Sequence, residues 1–269
     1  METKKKLKVS ESLTPVFEVT AEDSKCRARS GRLSTPHGVV ETPVFMPVAT
    51  QGSVKALDQE DLAGLGIGAI LANSYHLYLR PGADVVESAG GLHKFMNYKG
   101  MILTDSGGYQ VFSLANLRNL DDDGVTFQSH LDGSKHTLTP ESVIRLQSRL
   151  GSDIWTALDE CPPYPCSAKE ARRALDRTMR WAERSLVSYR EEVKRHEKRR
   201  LFFPILQGSM DPALRREAAK HLTDNIEFDG VCLGGFSVGE EKKLTWETLD
   251  ATVRHLPEEA PRYLMGMGE

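Results

Sequence analysis

Residues 101–110 read Met-Ile-Leu-Thr-Asp-Ser-Gly-Gly-Tyr-Gln, a short apolar run followed at once by an aspartate and a glycine-rich turn. Continuous apolar runs of this length, bracketed by helical segments, are what a parallel sheet covered on its outside produces. The unit recurs on either side, at 44–49 (Val-Phe-Met-Pro-Val-Ala), 69–74, 153–158 (Asp-Ile-Trp-Thr-Ala-Leu), 202–206 (Phe-Phe-Pro-Ile-Leu), 230–233 and 263–265. Seven such strands favour a TIM (β/α)8-type barrel over an open doubly wound sheet, and closure requires an eighth. The expected fold is therefore α/β, an incomplete barrel with its eighth strand absent before Glu269.

The segments between the runs carry helix start signals. Thr139-Pro140-Glu141 sets a cap, a proline and an acid in order, with Gly151 as the stop. Ser167-Ala-Lys-Glu170 has capping-box spacing, and the stripe Ala171, Leu175, Met179, Ala182, Leu186, Tyr189 and Val193 behind it runs towards Arg200. Asp211-Pro212 and Thr245 open two more helices. Upstream, short alternating runs between Phe17 and Val40 read as an N-terminal antiparallel sheet, and residues 1–16 as a flexible tail. After the third barrel strand, Phe127–Leu131 and Ser134–Leu138 around Asp132-Gly133 read as a hairpin insertion with a two-residue turn.

Over 269 residues the chain is 39% hydrophobic and 27% charged, with a net charge of −3; this excludes disordered, collagen-like and coiled-coil classes and a generally basic coat for nucleic acid. No apolar run is long enough for a membrane helix, and Cys26, Cys161, Cys166 and Cys232 are too few and scattered for a disulfide framework, so the expected setting is reduced cytoplasm. Three motifs are decoys. Gly64-Leu-Gly66-Ile-Gly68 precedes a strand where a dinucleotide fingerprint must follow one. Gly234–Gly239 continues into Glu240 where a phosphate loop needs lysine. Cys161-Pro-Pro-Tyr-Pro-Cys166 has no second ligand pair and reads as a rigid loop, not a metal site. The helix at 171–200 is rich in arginine, either as a phosphate-binding face or as a solvated flank with pairs such as Glu191–Arg195.

The strand ends carry the chemistry. Asp105, Asp159, Gln207 and Gly234-Gly235 close four successive strands, and in this architecture ligands bind at those ends. A ring of two carboxylates, an amide and bare backbone suits a flat heterocycle with several N–H groups, such as a guanine-like base, with Tyr109 as a stacking face. A glycosidase using Asp105 and Asp159 as its carboxylate pair is the competing chemistry.

Thr42-Pro-Val-Phe-Met-Pro-Val48, His76-Leu-Tyr-Leu-Arg80, Thr104–Gln110, Leu131-Asp-Gly-Ser134, Asp159-Glu-Cys161, Gln207-Gly-Ser209, Gly234-Gly235 and Tyr263-Leu-Met-Gly266 together resemble the tRNA-guanine transglycosylase (queuine/preQ1 tRNA-ribosyltransferase) family, from about Phe17 onward. The resemblance implies exchange of guanine at the wobble position of GUN-anticodon tRNAs for a 7-deazaguanine, through a covalent aspartyl-ribose intermediate, in queuosine biosynthesis. It implies Asp105 as general acid/base and Asp159, Gln207, Gly234 and Gly235 as readers of the base edge. Tyr109 and Met265 match the residues that sandwich the base; Ser106, Gly107 and Gly108 line the pocket; Glu240 supports its wall. Cys161 and Val238 resemble the bacterial subtype that takes preQ1, whereas Phe236 departs from the usual leucine. Gly266, Met267, Gly268 and Glu269 match a tRNA-contacting segment. The family's nucleophilic aspartate and its Cys₃His zinc subdomain lie beyond these residues. The expectation is thus a catalytic barrel over 17–269 that is partial, inactive alone and without metal, a fragment of a zinc-bearing homodimer; the alternative is a non-catalytic tRNA- or base-binding subunit.

Overall fold

The computed structural model of the protein describes residues 15–114 and 118–268. Most of the tail expected at 1–16 and the terminal Glu269 lie outside them.

The N-terminal sheet forms as read: β1 (Phe17–Glu22), β2 (Arg29–Thr35) and β3 (Gly38–Thr42) pair antiparallel in that order. Of the strand expected at 44–49 only a parallel bridge survives, Val48 against Leu71. Pro43 and Pro47 are the reason, since neither has an N–H to give to a ladder. After α1 (Gln59–Gly64) come β4 (Ala69–Asn73), the short helices α2 (Ser74–Leu79), α3 (Ala83–Ser88) and α4 (Leu92–Met96), then β5 (Met101–Asp105) and α5 (Gly108–Leu114).

The hairpin insertion is larger than expected. β6 (Arg118–Leu120), β7 (Val125–Gln128) and β8 (Lys135–Leu138) make a three-stranded antiparallel sheet, and the ladder stops at Gln128 opposite Lys135. The connection is therefore Ser129–Ser134 rather than two residues. Side chains compete with the ladder there: Asp132 Oδ1 accepts from the Ser134 N–H (3.1 Å) and hydroxyl (2.6 Å), and Ser129 Oγ accepts from the Leu131 N–H (3.1 Å).

The barrel resumes with α6 (Pro140–Leu150), β9 (Ile154–Thr156), α7 (Ala168–Glu192), β10 (Leu201–Phe203) and β11 (Ile205–Leu206). The last units are α8 (Pro212–Asn225), β12 (Val231–Leu233), α9 (Lys242–Val253) and β13 (Arg262–Leu264). β9 is shorter than the run at 153–158 that predicted it, and α7 stops at Glu192, before Arg200. α9 begins at Lys242, and Thr245 is buried in its first turn, where its hydroxyl bonds to Glu240 (2.8 Å) instead of capping the helix. The caps at Thr139, Ser167 and Asp211 are as read, although Thr139 closes its box with Ser142.

All barrel strands run parallel. One sheet has the order β10-β9-β5-β4 and a second β11-β12-β13. Pro204 separates β10 from β11, yet its carbonyl accepts from Cys232 (2.9 Å), so one extended stretch joins the two sheets. With the bridge at Val48, seven strand positions follow one another around an array that does not close. An apolar groove of about 600 Å³ lies between Phe45-Met46 on one side and Tyr263-Leu264 on the other.

The pleat explains which side chains meet inside. Along a strand alternate residues share a face. Ala69, Leu71, Met101, Leu103, Ile154, Leu201, Phe203, Ile205 and Cys232 pack into one inner cluster. Their neighbours Trp155, Phe202, Leu206, Val231 and Leu233 pack outward with Leu175, Leu186, Leu214 and Leu222 of the covering helices. Continuing the inward parity past the strand ends reaches Asn73, Asp105, Gln207, Gly234 and Met265. The interior is apolar along its length and turns polar at one mouth.

Candidate active site

That mouth holds a cavity of about 420 Å³, within the range of small-molecule sites. Of the residues expected to form the site, Asp105 to Tyr109, Asp159, Cys161, Gln207, Gly234 to Phe236, Val238, Met265 and Gly266 all line it. Glu240 does not line it. Its carboxylate accepts from the N–H groups of Ser237 (2.7 Å) and Val238 (2.9 Å), so it holds the wall from behind. Met267 lies in the neighbouring groove with Gly268, and the Ser237 hydroxyl donates to the Met267 sulfur (2.8 Å).

Asp105 ends β5 and is 6% exposed. Four donors converge on its carboxylate: the amide of Asn73, its register partner on β4, the Ser74 N–H (3.0 Å), the Gly107 N–H (3.2 Å) and the Gln110 amide (3.0 Å). Burial nevertheless dominates and raises the carboxyl to about 6, against these hydrogen bonds. Such a group can exchange a proton near neutral pH. Gly107 has φ +78°, and a Cβ there would sit 3.0 Å from the Tyr75 backbone N, so only glycine fits this turn.

Asp159 is 5% exposed and follows β9. It accepts from the Gln207 amide (2.7 Å) and from the Ser106 hydroxyl (3.4 Å). Burial, helped by the nearby Asp105 charge, raises it too to about 6. Gln207 keeps its carbonyl oxygen buried, with no partner among the described residues. Burial and the Asp159 charge push the Cys161 thiol up to about 12, so it is a neutral wall group rather than a nucleophile. Glu160, adjacent in sequence, turns away and forms a buried pair with Arg177. Tyr109 is 51% exposed at the rim.

Sequence reasoning missed Asn73 and Gln110, which hold Asp105, and Arg215, which lies beneath Gly234-Gly235. Asn73 was within reach, since it ends its strand on the inward face as Asp105 does. The arginine-rich helix is a belt of ion pairs: Arg172 meets Glu217, Arg180 meets Asp122, Arg184 meets Glu141 and Arg190 meets Glu227. Glu191 pairs with Lys194 rather than Arg195. The flank reading therefore holds for these cations.

At the opposite end of the barrel, His37 Nδ1 lies 2.6 Å from one Asp153 oxygen and His93 Nε2 lies 3.2 Å from the other. The two imidazoles stack at 3.4 Å. Among the described residues this is the one group of His, Cys, Asp and Glu side chains spaced for a metal. It is not a Cys₃His set. His93 Nε2 also faces the Gly100 carbonyl (3.1 Å), which makes it a donor, and the Arg200 guanidinium stands 4.0 Å from Asp153. Parallel rings whose nitrogens donate, beside a fixed cation, suit a hydrogen-bonded clasp better than a zinc ion.

The family model described as queuine tRNA-ribosyltransferase matches residues 23–269. Proteins named queuine tRNA-ribosyltransferase from Desulforudis audaxviator, Caldanaerobacter subterraneus subsp. tengcongensis and Moorella thermoacetica are 54%, 51% and 53% identical to the chain. Each alignment takes in 94% of this chain and 66% of the relative, so the chain spans just under two thirds of their length. Among the described residues no helix is long and apolar enough to cross a membrane.

Proposed function

The chain belongs to the queuine tRNA-ribosyltransferase family, and from that premise we propose that its cavity is the base pocket for exchanging guanine in tRNA for a 7-deazaguanine. The observation that carries this is the pairing of two buried carboxylates, both raised to about 6, around one cavity with a Gln207 oxygen that has no partner among the described residues. Asp159 as carboxylate accepts from the ring N–H and exocyclic amine of the guanine edge, two donors that no neutral group in the cavity would satisfy as well. Gln207 and the backbone of Gly235 meet the remaining polar edge, while Tyr109 and Met265 cover the faces of the ring.

Asp105 is the general acid/base. Protonated, it supplies a proton to departing guanine; ionised, it takes one from the incoming base. A carboxyl near 6 serves both directions at neutral pH. The neutral Cys161 and Val238 leave room for preQ1, and Gly266, Met267 and Gly268 beside the cavity meet the tRNA strand at the wobble position of GUN anticodons.

Attack on the ribose C1′ needs a further carboxylate. Among the described residues Asp105 and Asp159 are the carboxylates that line the cavity, and proton transfer and the base edge already occupy them. The 269-residue chain is therefore proposed to bind the base without transferring it. The test is radiolabelled guanine with tRNA, followed both as reversible retention and as label fixed in tRNA. Retention abolished by Asp159→Ala with no fixed label is expected. Absent retention refutes the pocket, and fixed label refutes the inability to transfer.

A further inference from the structure

Arg215, at the start of α8, is among the largest fully buried side chains in the molecule, and no carboxylate pairs with it among the described residues. Its guanidinium is spent on backbone instead. Nε donates to the Ser209 carbonyl (2.6 Å) and Nη2 to the Gly234 carbonyl (3.0 Å), with the Gly235 carbonyl at 3.5 Å. Its carbon lies 3.9 Å from the centre of the Phe236 ring, a close cation–π contact, and Nη1 has no partner among the described residues. Two glycines make room for it: a Cβ at Gly208 would come within 2.8 Å of Arg215 Cγ, and one at Gly235 within 3.2 Å of Nη2. Burying a guanidinium without a counter-ion is costly, and here burial pulls it down to about 9.

The result of that cost is one fixed peptide. In a trans peptide the C=O and the following N–H point opposite ways. Arg215 draws the Gly234 carbonyl out of the cavity that Gly234 and Gly235 line, so the Gly235 N–H turns into it. Among the described residues that N–H donates to no acceptor. We propose that Arg215 is a positioning residue that locks the Gly234–Gly235 peptide with its N–H facing the base, and thereby makes the pocket select a base edge bearing an oxo group. The inference rests on the cavity being a guanine site.

The test compares guanine with 2-aminopurine, which lacks both the 6-oxo group and the N1–H beside it, by equilibrium dialysis on wild type, Arg215→Lys and Arg215→Gln. Wild type prefers guanine. The variants cut the guanine to 2-aminopurine affinity ratio by about tenfold or more, because the hydrogen bond to the oxo group is lost, while the preference that Asp159 gives guanine through its N1–H stays. A purely structural role lowers both affinities together and leaves the ratio unchanged, which overturns the proposal. Should both variants fail to fold, the wild-type Gly235 amide resonance decides. It shifts and becomes protected from exchange with guanine and not with 2-aminopurine; a resonance unmoved by bound guanine overturns the proposal. If wild type binds no guanine, the pocket reading itself falls, a result distinct from binding without dependence on Arg215.

Discussion

Replacing Asp159 by Asn exchanges a buried carboxyl for a neutral isostere, and its effect on stability must depend on pH with a defined sign. The side chain is 5% exposed and titrates at about 6 against an ordinary 3.8, first because of burial and then because of Asp105. Between those values the folded protein holds a proton that the unfolded chain has released. Stability therefore falls as pH rises through this window and stays lower above it. The shift corresponds to on the order of 3 kcal/mol, fully expressed above about pH 6.5 and absent below about pH 3.5. Asp159→Asn removes the penalty. The Gln207 amide keeps an acceptor in the Asn oxygen, and the Asn amine can face Ser106. At roughly 2–4 °C per kcal/mol for a domain of this size, the variant should melt up to ~6–12 °C above wild type at pH 7.5 and close to it at pH 4. Thermal melts of both proteins across pH 4–8, read as the difference in Tm, give the result directly. A difference that does not grow with pH, or a variant less stable at pH 7.5, would refute the assignment of Asp159 as a destabilising buried acid.

Other perturbations have outcomes of their own. Asp153 has the opposite sign: burial pushes its carboxyl up, but His93, the Ile102 N–H and His37 outweigh this and hold it below its ordinary value. Its contribution is present above the carboxylate range and lost as pH falls through it, so Asp153→Asn should cost about 2 kcal/mol in urea unfolding at pH 7 and less near pH 3. Arg177→Met leaves Glu160 buried and uncompensated, for a loss of roughly 3–5 kcal/mol; adding Glu160→Gln should restore most of it, and a double variant as weak as the single would contradict the pairing. Trp155→Ala empties a fully buried site between the barrel and α7 and should cost about 3–5 kcal/mol by chemical denaturation.

The parallel strand array was legible because its strands are apolar on both faces, and the cavity residues were legible because polar residues interrupt that pattern at one end. Period-two alternation alone carries Asp105, Gln207 and Gly234 to the interior. Asp159 breaks the parity, since β9 ends at Thr156, and it reaches the cavity through the loop that follows. Less local features stayed hidden. Arg215 sits in an Ala-Leu-Arg-Arg-Glu stretch that reads as an exposed helix flank, and only the packing of α8 against two loops buries it. The clasp of His37, His93 and Asp153 joins residues far apart in sequence, whose partnership no spacing announces. The run at 44–49 is apolar enough to read as a strand, but its flanking and internal prolines cannot donate to a ladder, and a single bridge forms.

Ionised Asp159 is the group proposed to read a guanine edge in the cavity at the barrel mouth. Equilibrium dialysis of radiolabelled guanine against the chain at pH 7.5 and pH 5.0 decides this. With the carboxyl at about 6, roughly one molecule in ten is ionised at pH 5.0, so one site per chain is expected at pH 7.5 with affinity about tenfold weaker at pH 5.0. Absence of binding at pH 7.5, or binding unchanged between the two, would contradict it.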